Sequence, residues 1–173
     1  MTRGIHTRPV RGATDDWVTP LEIVDALGWF DLDPCASPNQ RYQTAARMIA
    51  PPADGLAAEW TGRVWLNPPY GPGIREWLRR MVMHGNGIAL VPSRTEVEAW
   101  FWPYIWEAAD AILFLRGRIS FVAPDGSIGG NAGHGSVLAA YGHDNVDALR
   151  KSGIPGKLIV LRPSTAIVSD SEP

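Results

Sequence analysis

Gly87-Ile88-Ala89-Leu90-Val91 is an uninterrupted apolar run, closed by Pro92. A run this short is apolar at every position only when both its faces are buried. That condition is met by a strand inside a sheet covered by helices on both sides. Similar runs recur along the chain. Trp29-Phe30-Asp31-Leu32 stops at Asp33-Pro34, and Arg63-Val64-Trp65-Leu66 stops at Asn67-Pro68-Pro69. Ala111–Leu115 and Lys157–Leu161 read as further strands. Proline cannot continue a central strand, so each Pro-bearing loop marks a strand end.

Helices alternate with these strands. Thr19-Pro20-Leu21-Glu22 places Thr at the N-cap, Pro at the first helical position and Glu three residues after the cap, a capping box. Leu21, Val24 and Leu27 give that helix an apolar face, and Gly28 ends it. Ile74–His84 carries Ile74, Trp77, Leu78, Met81 and Val82 on one side, and a third helix is expected over Glu96–Ala108. Ile119–Val122 and Ser136–Tyr141 are expected to pair around a Gly-rich loop. The expectation is an α/β fold with a mostly parallel sheet and an antiparallel C-terminal strand pair. Residues 1–13 read as a flexible basic tail, 14–163 as one domain and 164–173 as a polar tail.

Composition narrows the setting. One cysteine, Cys35, excludes an intramolecular disulfide and a cysteine-cluster zinc site, and the four histidines lack metal-ligand spacing. No metal is expected. No apolar run approaches the roughly 20 residues of a spanning helix, and the N-terminus has no apolar signal core. A soluble, reducing, cytoplasmic setting is the default expectation. The formal net charge of −2 argues against coating nucleic acid by bulk charge. The distribution is uneven, however. Residues 13–39 hold six acids and no Lys or Arg, whereas residues 40–80 hold six arginines against three acids. A local patch can therefore still take an anion.

In α/β sheets ligands sit at the carboxyl ends of strands, where Asp33 and Asn67 fall. Asn67-Pro68-Pro69-Tyr70 is the most informative stretch. Successive prolines stiffen the loop. The Pro68 carbonyl has no helix or ladder partner through the following residue, because Pro69 has no N–H; the Asn67 side-chain oxygen is a second acceptor, and Tyr70 offers a flat ring. Two acceptors and a stacking platform suit a planar group that bears an NH2. A plain Pro-Pro turn is the alternative for these four residues alone.

The NPPY stretch after an apolar strand resembles the catalytic motif of S-adenosylmethionine-dependent amino-methyltransferases. Other pieces follow in matching order. Trp17-Val18-Thr19-Pro20-Leu21-Glu22-Ile23 resembles the stretch that opens the cofactor site in DNA adenine methyltransferases. Asp31-Leu32-Asp33-Pro34-Cys35-Ala36 resembles their first cofactor motif, though its turn holds no glycine. Asp54-Gly55-Leu56 with Trp60 resembles the acidic loop before the catalytic strand, and residues 115–121 with Gly133-His134-Gly135-Ser136 extend the likeness. Over roughly residues 15–142 the chain resembles the small phage-type, Dam-like DNA N6-adenine methyltransferases.

The resemblance implies a single Rossmann-like class I methyltransferase domain, S-adenosylmethionine as cofactor and DNA as partner. It implies cofactor contacts from Trp17, Thr19, Pro20, Asp33, Pro34, Cys35, Ala36 and Asp54, with Cys35 as a small filler rather than a nucleophile. Asn67, Pro68, Pro69 and Tyr70 become the catalytic set, acting on an adenine flipped out of the duplex. Two further strands are expected between Asp33 and Val64. Arg94, Arg116, Arg118 and His134 are the DNA-contact candidates, together with the loop 123–135. Two other readings stay open at this level: methylation of a protein glutamine or of RNA, since NPPY is shared with protein glutamine methyltransferases, and a non-catalytic DNA-binding module.

Overall fold

A computed structural model describes residues 18–122, 128–131 and 133–162. Both expected tails, Trp17 and residues 123–127 lie outside the described residues. The elements run α1 (Leu21–Leu27), β1 (Leu32–Asp33), β2 (Arg47–Met48), β3 (Val64–Leu66), α2 (Ile74–His84), β4 (Gly87–Pro92), β5 (Ala111–Leu115), β6 (Ser120–Val122), β7 (Ile128–Asn131), β8 (Ser136–Tyr141), α3 (His143–Lys151) and β9 (Gly156–Val160). A π-helical turn, Trp102–Trp106, lies between β4 and β5.

Seven strands form one sheet in the order β2-β1-β3-β4-β8-β5-β9. β2, β1, β3 and β4 are mutually parallel, while β8 is antiparallel to both its neighbours and β9 is antiparallel to β5. The chain is thus a mixed α/β fold whose parallel half carries the first strand ends. Side-chain alternation explains the layers. Val64, Leu66, Ala89, Val91, Val137 and Ala139 face α2 and the π-helical turn, where Ile74, Leu78, Met81, Phe101 and Ile105 are buried. Trp65, Ile88, Leu90, Leu138 and Ala140 face α1 and α3, whose Val24, Leu27, Val146 and Leu149 close the other side. β4 is buried at all six positions, as its composition demands.

Several expectations need correction. β1 is only Leu32–Asp33, and Trp29 is 66% exposed. The ladder cannot start earlier, because the N–H groups of Asp31 and Leu32 both reach the Arg63 carbonyl and fix the entry there. Only one strand, β2, forms between Asp33 and Val64. The helix expected over 96–108 is replaced by turns and the π-helical turn. Pro103 lacks the N–H an α-ladder needs, and Glu107 N–H instead bonds back to the Trp102 carbonyl. β8 does not pair with β6. It inserts between β4 and β5, buried throughout, because Ser136–Tyr141 is apolar on both faces. β6 pairs with β7 in a separate hairpin. The strand expected at 157–161 is Gly156–Val160. Among the described residues no helix is long and apolar enough to cross a membrane.

Candidate active site

The strand order reverses beside β1. From β1 the chain goes out to β2 and returns to β3 on the opposite flank of β1. Such a switch opens a crevice at the carboxyl ends of the two central strands. Asp33 ends β1, and Asn67 follows β3 directly. Both line one cleft, with Thr19, Pro34, Cys35, Ala36, Asp54 and Pro69. Most of the residues expected at a cofactor therefore converge, from four separate segments of the chain. Counting its open mouth, the cleft encloses ≈ 730 Å³ of empty space.

Asp33 is almost fully buried, at 3% exposure. One carboxylate oxygen accepts the Thr44 hydroxyl at 2.5 Å and the other accepts the Cys35 N–H at 3.1 Å. Burial still dominates these two bonds and pushes the carboxyl up to about 6. Cys35 is also pushed up, by burial first and by the neighbouring Asp33 second. At neutral pH it is an inert thiol, which fits a filler and not a nucleophile. Among the described residues no Lys or Arg side chain lines this cleft.

Asp54 stands on the opposite lip, exposed. Its Oδ1 accepts the N–H groups of Leu56 and Ala57, at 2.9 and 3.3 Å, which fixes the turn. Trp60 Nε1 donates to the Gly55 carbonyl at 2.8 Å and braces the same turn. Gly55 itself is packed against the first lip. A Cβ there would lie 1.7 Å from the Pro34 carbonyl oxygen. The turn after Asp33 has no glycine, and Gly55 is what lets the two lips meet so closely.

Asn67 is held by Thr19, whose Oγ1 lies 3.0 Å from Asn67 Nδ2. This corrects the capping expectation. α1 begins at Leu21 with Pro20 in the cap position and no side-chain cap bond, because the Thr19 hydroxyl is turned to Asn67 instead. Among the described residues none donates to Asn67 Oδ1 or to the buried Pro68 carbonyl. Pro69 is exposed at the lip, and its carbonyl accepts the Gly71 N–H at 3.0 Å.

Residues 67–71 divide this cleft from a second one. Tyr70 and Gly71 line the second, with Ile74, Arg94, Trp100 and His134. Tyr70 is 38% exposed and meets Phe121 edge to face at 6.3 Å between ring centres. Arg94 Nη2 lies 2.7 Å from His134 Nε2. A guanidinium can only donate, so His134 Nε2 is the acceptor. Ser93 N–H donates to the Gly135 carbonyl at 2.9 Å, which sets the two loops together.

Pro20 lines a groove with Glu22, Arg116 and Arg118 and is not among the residues of the first cleft, while Arg94 and His134 line the second. Arg63 is a structural cation, not a ligand one. Its guanidinium donates to the Leu27 and Trp29 carbonyls and to Asn145 Oδ1, and lies 4.2 Å over Phe30. Sequence reasoning missed Thr44 and Gln40 in the first cleft, which no spacing signals, and Trp100 in the second. Gly55 carried a signal, a glycine inside an acidic turn. Among the described residues no three His, Cys, Asp or Glu side chains gather as a metal site.

Residues 6–141 match the family model described as DNA N-6-adenine-methyltransferase (Dam). The match spans more than three quarters of the 173 residues. Neither a curated protein nor a solved structure matches the chain.

Proposed function

The chain belongs to the DNA N-6-adenine-methyltransferase (Dam) family, and from that premise we propose that it transfers a methyl group from S-adenosylmethionine to the N6 amine of an adenine flipped out of DNA. The fold is read accordingly as a Rossmann-like class I methyltransferase domain. One observation carries the proposal. Among the described residues nothing donates to Asn67 Oδ1, which lines the acidic cleft, or to the Pro68 carbonyl, in the loop that leads from it to Tyr70 at the second cleft.

The donor set of the first cleft fits this cofactor. It has two carboxylates, Asp33 and Asp54, and among the described residues no basic side chain, so it favours a ligand with cationic centres. Among the described residues the buried Asp33 carboxylate has no cationic hydrogen-bond partner. Thr19, Asp33 and residues 34–36 would hold the amino-acid end, and Asp54 the base. When bound, the cofactor supplies an electrophilic methyl on sulfur.

The chain's own residues do the rest. An aryl amine is a poor nucleophile, because its lone pair is spread into the ring. Asn67 Oδ1 and the Pro68 carbonyl accept hydrogen bonds from the NH2 and return electron density to nitrogen. They also stabilise positive charge as it develops there. Because the prolines fix the backbone, the acceptors need no reorganisation. Much of the acceleration is positional, from holding amine and methyl together. Tyr70 stacks on the extruded base and recovers part of the few kcal/mol that flipping costs. Arg94 and His134 contact the nucleotide from the second cleft. Arg116 and Arg118, on their own groove, take backbone phosphates.

Incubation with S-adenosylmethionine labelled in its methyl group and duplex DNA tests this. Label is expected in DNA with the wild type and not with Asn67→Ala, while both bind the cofactor. Transfer at the wild-type rate by Asn67→Ala, or transfer that needs no nucleic acid, contradicts the proposal.

A further inference from the structure

Thr19 stands where a helix cap is expected, and a capping Thr typically contributes to helix stability. That contribution is absent, since α1 has no side-chain cap bond. The hydroxyl is instead committed to Asn67, at 3.0 Å from Nδ2, on a side chain only 3% exposed. Thr19 also lines the first cleft. One buried hydroxyl thus touches the catalytic amide and borders the cofactor site.

A hydroxyl has one proton and two lone pairs, and an Asn side chain has a donor end and an acceptor end. Thr19 can therefore hold Asn67 in two ways. If Thr19 uses a lone pair, Nδ2 faces it and Oδ1 faces the substrate amine as an acceptor. If Thr19 uses its proton, Oδ1 faces it, and Nδ2 meets the substrate amine donor to donor. Only the first orientation can work. The choice turns on where the Thr19 proton goes. Among the described residues none accepts it, so it is left for an acceptor in the cleft that Thr19 lines.

We infer that Thr19 is a positioning residue for Asn67, and that an acceptor bound in the first cleft selects the working orientation of the Asn67 amide by engaging the Thr19 proton. This rests on the reading of that cleft as the cofactor site. It couples the two clefts: the amide is set for the amine only when the cleft beside it is filled. An empty cleft leaves both orientations open.

The test uses Thr19→Val, which keeps the shape and removes the hydroxyl, and Thr19→Ser, which keeps the hydroxyl. Thr19→Ala replaces the valine variant if that fails to fold. S-adenosylhomocysteine, which carries a carboxylate, is the probe. Its binding is measured by calorimetry, and the Asn67 side-chain amide is followed by NMR, assigned by its loss in Asn67→Ala. Saturating probe is expected to shift the Asn67 amide signals in the wild type and in Thr19→Ser, and to leave them in place in Thr19→Val. In turnover, Thr19→Val is expected to lose about tenfold in kcat, the worth of one neutral hydrogen bond. Its KM for DNA stays unchanged, and Thr19→Ser restores the rate. Probe binding with the same amide shift in Thr19→Val as in the wild type overturns the inference alone. A wild-type kcat in Thr19→Val does the same. Failure of the wild type to bind the probe overturns the cofactor reading together with it.

Discussion

Replacing Asp33 with asparagine separates what this carboxylate costs the fold from what it gives the cleft. Asp33 is buried, and its carboxyl is held at about 6 against an ordinary 3.8. At about 1.36 kcal/mol per pH unit, the ionised group costs the folded state about 3 kcal/mol. The folded value lies above the unfolded one, so native protein binds the extra proton between them. Stability from this group is full below pH 3.8 and is lost as pH rises through about 6. Asparagine removes the charge and can keep both bonds. Its oxygen accepts the Cys35 N–H, and its NH2 donates to the Thr44 hydroxyl, which can accept as well as donate. The expected result is a variant more stable than the wild type at pH 7.5, by up to about 3 kcal/mol, or roughly 6–12 °C in Tm for a chain of this size. At pH 4 most of the difference disappears. Urea denaturation at both pH values reads it directly. Cofactor binding by the same variant is expected to weaken by about tenfold or more, since a charged hydrogen bond is lost. Equal stability at pH 7.5, or a gain that persists unchanged at pH 4, refutes the burial argument.

Three further outcomes follow from the same geometry. Cofactor affinity measured by calorimetry should be flat above neutral pH and fall about tenfold per pH unit below about 6, as Asp33 takes a proton and its attraction for a cation is lost. Gly55→Ala should destabilise the protein by about 3 kcal/mol and weaken cofactor binding, because its Cβ would collide with the Pro34 carbonyl and part the two lips; chemical denaturation and calorimetry check both effects. Arg63→Ala should cost about 2–4 kcal/mol in denaturation by stranding its carbonyl and Asn145 partners, yet leave cofactor affinity near wild type, since Arg63 lines neither cleft.

Where local chemistry decided the structure, the sequence was readable. Ile74–His84 and Ala111–Leu115 fall on their expected bounds, because periodicity and buried apolar runs agree there. Asp33 and Asn67 reach the same cleft because Pro-marked strand ends place both on one edge of a parallel sheet. What stayed hidden depends on distant partners. Thr19 carries every mark of a cap, yet its hydroxyl serves Asn67, 48 residues away. Ser136–Tyr141 looks like half of a hairpin with β6, but its two apolar faces draw it into the sheet centre. The turn after Asp33 has no glycine of its own, and the close packing there is with Gly55, on another loop. Trp100 is nearly buried, yet it lines the cleft beside Tyr70.

Nucleoside analysis by mass spectrometry, on DNA from cells expressing the wild type or Asn67→Ala, addresses the central claim most directly. N6-methyl-deoxyadenosine is expected with the wild type, and background levels with the variant. Equal N6-methyl-deoxyadenosine from both proteins, or a methyl group found on another base, contradicts it.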